Sequence, residues 1–106
     1  MTKVKVFAGA CGFTSVVKVQ ALDGRRVEVQ IVTACTMARS LNEELGIIEW
    51  KKGVFNKFCD STIYQAAHRK LKHTDCPVPV AIMKAIQAEI GAAVPKDVTI
   101  KFEEND

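Results

Sequence analysis

The sequence contains no apolar run approaching the ~20 residues needed to span a membrane. It also has no Cys-x-x-Cys pair, no internal repeat and no low-complexity stretch. The first absence excludes a transmembrane helix, so no membrane partner is expected. The second removes the spacing signature of the common zinc and redox motifs. The others leave no linker at which to divide the chain, and residues 1–106 are expected to form a single domain. Met1 to Val6 alternates like a strand and lacks the apolar stretch of a secretory leader, so a cytoplasmic setting is expected. A strong charge of one sign is also missing. The net charge is +3 and the basic residues are scattered, with Arg25-Arg26, Lys51-Lys52 and His68 to His73 the densest spots. Nucleic-acid binders carry a more one-sided basic field, so nucleic acid is not an expected partner and residues 68–73 read as a solvated helix face.

Enzymatic constellations are scarce as well. Gly9-Ala10-Cys11-Gly12 has no lysine, hydroxyl or following helix, and so is no phosphate loop. His68 and His73 lie in a polar, basic stretch and read as surface. Glu43-Glu44 and Glu103-Glu104 read as solvated charges, and Thr14, Ser15 and Thr33 as strand-edge residues with no Ser-His-Asp set among them. The expectation leans against an enzyme.

What the chain does have is a 48% hydrophobic composition, enough for a core without covalent staples. Val4, Val6 and Ala8 mark a first strand. Val17, Val19 and Ala21 alternate on one arm of a hairpin and Val27, Val29 and Ile31 on the other, with Asp23-Gly24 as the turn. From Thr33 the period changes: Met37, Ala38, Leu41 and Leu45 follow a helix that Gly46 ends. Residues 47–58 read as irregular. Trp50, Phe55 and Phe58 there are a local core or a protein-binding patch. Asp60 or Ser61 caps a second helix bearing Ile63, Ala66, Ala67 and Leu71. Cys76-Pro77-Val78-Pro79 opens a third, with Ile82, Met83, Ile86 and Ile90 on its buried stripe. Val98, Ile100 and Phe102 alternate in a final strand. The expected fold is α+β, an antiparallel sheet in β-β-β-α-α-α-β order with three helices packed on one face.

Four cysteines in a reducing compartment argue against structural disulfides. They are buried small hydrophobes, metal ligands or reactive thiols. All four fall at element ends. In an antiparallel meander the first and third strands run the same way, so Cys11 and Cys35, just beyond them, share one edge of the sheet. The first helix leaves that edge over about 15–18 Å, at 1.5 Å per residue. If residues 47–58 do not carry the chain back, the second starts at the far end and returns, and the third begins beside the cysteines. Cys11, Cys35 and Cys76 are therefore expected to converge, with Cys59 the odd one out and His73 able to supply a fourth ligand. Such a set suits tetrahedral zinc, and four thiolates suit an iron–sulfur cluster. The spacings of 24, 24 and 17 match no standard ligand pattern. Cys76 has a separate role open to it, because a thiol at a helix N-terminus is favoured as the thiolate.

The stretch Cys76-Pro77-Val78-Pro79-Val80-Ala81-Ile82-Met83-Lys84 resembles the Cys-Pro-x-Pro helix opening of the small sulfur-carrier family. The resemblance implies that Cys76 carries a persulfide and that Lys84 is the family's basic residue. It covers roughly a quarter of the chain. A helix rather than a strand precedes the motif, and the N-terminal hairpin has no counterpart in that family. The whole chain resembles an uncharacterised family of small prokaryotic proteins with a Cys-Gly-Phe turn after the first strand and a Cys-Pro-x-Pro-x-x-Ile helix. Here these are Cys11-Gly12-Phe13 and Cys76 to Ile82. That resemblance implies a role for Cys11 and Cys76 without implying an activity.

Overall fold

In the computed structural model, which describes residues 1–104, three long strands form the expected meander. Strand β1 (Thr2–Phe7) pairs antiparallel with β2 (Thr14–Ala21), and β2 with β3 (Arg26–Thr33). Alternation decides which face is buried. Val17 and Val19 on β2 and Val27, Val29 and Ile31 on β3 are buried, while Gln20, Glu28 and Gln30 between them are exposed. The hairpin turn is held by Asp23, whose Oδ1 accepts from the backbone N–H groups of Arg25 and Arg26 at 2.8 and 2.9 Å.

The segment after β3 is helical, but in two pieces, α1 (Thr36–Ser40) and α2 (Asn42–Leu45). Asn42, where the second piece starts, reaches back to β3. Its Oδ1 accepts from Ile31 N–H at 2.8 Å and its Nδ2 donates to Ile31 O at 2.9 Å. The amide thus does for Ile31 what a neighbouring strand does elsewhere in the sheet. That neighbour is β4 (Ile47–Glu49), which covers β3 only from Arg26 to Glu28.

The fourth strand corrects the sequence reading. It lies at Ile47–Glu49, directly after α2, and Val98 to Phe102 is not a strand. Alternation reports that a segment suits a pleated surface, not that an edge is free to receive it. β4 occupies the β3 edge, the outer edge of β1 stays unpaired, and residues 98–102 pair with neither among the described residues. The α+β class and the antiparallel sheet stand as expected, and the four strands lie in the order β1-β2-β3-β4.

Helix α3 (Thr62–Lys70) follows Ser61, which is fully buried and donates to Val54 O at 2.7 Å instead of capping the helix. Gly53 is required beneath it. Its φ is +92°, and an added Cβ would lie 2.7 Å from Thr62 Oγ1. Of the aromatics in 47–58, Trp50 packs on the core, whereas Phe58 is exposed and meets Tyr64 edge-on at 5.0 Å. Helix α4 (Val78–Glu89) supplies Val78, Ala81, Ile82, Ala85 and Ile86 to the core. It packs on β1 and β2 while α1 and α2 pack on β3, so one face of the sheet carries the helices. No helix is long and apolar enough to cross a membrane among the described residues.

The orientation of α4 positions everything that follows. At its C-terminal end the Glu89 carboxylate accepts from Thr2 Oγ1 at 2.7 Å and from Ala21 N–H at 2.8 Å. Thr2 opens β1 and Ala21 closes β2, so α4 runs antiparallel to β1. Its N-terminus therefore lies at the opposite end of the sheet, where β1 and β3 finish.

Candidate functional site

Three chain segments meet at that end. A 3-10 turn over Gly9–Cys11 follows β1 and is closed by Gly12, at φ +79°, whose N–H donates to Gly9 O. It leaves Cys11 exposed. Cys35 occupies the N-cap position of α1 and is half-buried. Its placement is braced: Cys35 N–H donates to Thr33 Oγ1 at 3.1 Å, and the buried Ser15 hydroxyl donates to the same oxygen at 2.8 Å. Ser15 and Thr33 are direct cross-strand partners, so the register of β2 on β3 sets where Cys35 sits. Cys76 precedes Pro77, the N-cap of α4, and is also half-buried.

Cys11, Cys35, Cys76 and His73 line one cavity. Its walls are completed mainly by apolar side chains, among them Phe13, Met37 and Leu71. Its volume is about 80 Å³. Sites for organic ligands run to roughly 300–1,000 Å³, so this space suits an ion or a few waters instead. Cys59 does not line it; that residue lies exposed in the 3-10 turn Phe58–Asp60 ahead of α3. His68 and Lys84 are absent from the lining as well.

Electrostatics settle the resting state of Cys76. Burial pushes its thiol up, and the neighbouring Cys35 and Cys11 add to the rise; the Val78 N–H at the helix start acts the other way but does not win. The helix-terminus effect anticipated from Cys-Pro-Val-Pro is thus present and outweighed by desolvation. That direction favours the protonated thiol over the thiolate. Among the described residues no three His, Cys, Asp or Glu side chains already converge as ligands of one ion. All four cysteines are free.

The whole arrangement, from β1 through the cysteine end to α4, falls within one sequence family. A family model matches residues 2–102. The chain belongs to DUF6951, a family of unknown function. No curated protein and no solved structure matches it. The shared unit therefore spans Cys11, Cys35, Cys59, His73 and Cys76 together, and family membership assigns a role to none of them.

Sequence reasoning missed Ser15 and Thr33 as supports of Cys35. The signal was present: two hydroxyl residues occupy opposite ends of strands that the hairpin turn already aligns, and Cys35 stands two residues beyond the second.

Proposed function

We propose that this protein is a thiol-based metal-binding module in which Cys11, Cys35 and Cys76 hold one thiophilic ion and His73 provides the fourth ligand. The supporting observation is that these side chains, drawn from widely separated parts of the sequence, line one ion-sized cavity with apolar walls. Three sulfurs and an imidazole form a donor set suited to tetrahedral zinc. An iron–sulfur cluster calls for a fourth thiolate, and Cys59 stands outside the cavity, so zinc is the preferred ion. Since no three ligands yet converge, binding draws the side chains inward. Cys11 on its glycine-flanked turn and His73 on the exposed loop before α4 are the members with most freedom to move. Loading also expels the Cys76 proton, so affinity rises with pH. A reducing, cytoplasmic setting keeps the thiols available.

The test is the metal and acid-labile sulfide content of protein purified without oxygen, repeated on single Cys→Ser variants. The expected result is about one zinc per chain, lost from the Cys11, Cys35 and Cys76 variants and retained by Cys59→Ser. A folded protein that takes up no zinc at micromolar concentration would overturn the reading. If it instead took up persulfide at Cys76 alone, with Cys11→Ser unaffected, the sulfur-carrier reading would replace it.

A further inference from the structure

At the other side of α4 the sheet is left open. β1 pairs with β2 along one edge and with nothing along the other among the described residues. An unpaired edge of six residues is a template for another strand. Beside it runs an open groove of about 860 Å³, walled by β1 and α4 on one side and by residues 93–100 on the other.

The far wall leads into a segment built for such an edge. Val98, Ile100 and Phe102 alternate, and they are 57%, 87% and 104% exposed. Charges match too. Lys3 and Lys5 stand exposed on β1 and Lys84 on the α4 wall, while Asp97, Glu103 and Glu104 flank the apolar residues. None of these six enters an ion pair among the described residues.

The approach to the segment is locally braced. Gly91, at φ +75°, ends α4, and the N–H groups of Ala92 and Ala93 both donate to Gln87 O. A tight turn about Pro95 follows, with Lys96 N–H donating to Val94 O at 2.8 Å. A short, proline-stiffened hinge before a strand-forming segment that its own sheet leaves unpaired favours exchange between copies over self-closure.

We propose that the free edge of β1 takes the Val98–Phe102 segment of a second copy of this chain as an added strand, and that reciprocal exchange makes a two-fold dimer. Main-chain hydrogen bonds supply the pairing. Val98, Ile100 and Phe102 cover the half-buried Val4 and Val6, and the acidic flanks meet Lys3, Lys5 and Lys84.

Sedimentation of the full chain over a concentration series, with hydrogen exchange on residues 98–102, tests this. The expected mass is twice the 11.7 kDa of one chain, with the 98–102 amides protected only where dimer is populated. Ile100→Asp and Phe102→Asp alter side chains that are exposed in the single chain, so the fold, checked by circular dichroism, persists. Each raises the dimer dissociation constant by about 100-fold. A chain that stays monomeric with those amides protected would show self-closure and overturn the exchange. A monomer with the amides unprotected, or a dimer indifferent to both substitutions, would overturn it equally.

Discussion

The two ends of α4 handle polar groups in opposite ways. At the Glu89 end one carboxylate, its side chain 9% exposed, is satisfied by the Thr2 hydroxyl, the Ala21 N–H and the N-terminal amine at 3.7 Å. At the Cys76 end three thiols and an imidazole line an apolar cavity without completing a coordination set. The first end has finished its bonding within the chain. The second leaves its sulfur and imidazole donors without a completed set among the described residues. A carboxylate has to be satisfied by folding itself, because leaving it buried and unpaired is costly, whereas a neutral thiol tolerates waiting. One end is therefore built for stability, and the other is the one to which we assign a ligand.

Substitutions separate the ends. The largest effect is expected at the cysteines. Serine at Cys11, Cys35 or Cys76 should weaken zinc binding by more than about 100-fold, beyond what loss of an outer-shell partner costs. Cys59→Ser should leave titrated affinity unchanged. Next, Glu89→Ala should lower stability by about 2 kcal/mol in urea unfolding, since Ala21 N–H loses its acceptor. Zinc affinity should not move, and a change there would join the two ends that the structure separates.

The same carboxylate sets an acid dependence. The Ala21 N–H, followed by the Thr2 hydroxyl and the N-terminal amine, holds the Glu89 carboxyl below its ordinary value against a smaller opposing effect of burial. A lowered folded-state pKa contributes stability that is present above the unfolded value and lost as pH falls through the folded one. Unfolding measured from neutral pH down through the carboxylate range should show that decline, and Glu89→Ala should flatten it. The smallest effect belongs to Ser15→Ala, about 1 kcal/mol for one hydrogen bond. Because Ser15 braces Cys35 only through Thr33, zinc should weaken by no more than about 10-fold.

Much of this was legible in the residues, and the limits have physical causes. The buried faces of β2 and β3 follow from period-2 alternation, and the hairpin turn from Asp23-Gly24. That Cys11, Cys35 and Cys76 line one cavity follows from strand direction and helix length: first and third strands of a meander end together, and helices of known rise shuttle between the sheet's ends. What was not legible depended on competition between segments. Ile47–Glu49 is short and looks irregular, yet it follows α2 closely enough to take the β3 edge. Val98–Phe102 has the better pattern and still pairs with no strand among the described residues, although the outer edge of β1 is unpaired. Asn42 reads as an ordinary helix residue, and only the short reach of β4 leaves Ile31 for its amide to satisfy. The state of Cys76 was misjudged for a related reason, because a helix start is visible in Cys-Pro-Val-Pro whereas the desolvation that outweighs it comes from residues distant in sequence.

The most direct test of the central claim is titration of the reduced protein with Co²⁺ as a spectroscopic stand-in for zinc. The account predicts a sulfur-to-cobalt charge-transfer band that saturates at one equivalent, is displaced by zinc, and weakens in the Cys11, Cys35 and Cys76 variants but not in Cys59→Ser. A folded, reduced chain that develops no such band, or one whose band depends on Cys59 as much as on Cys35, would contradict it.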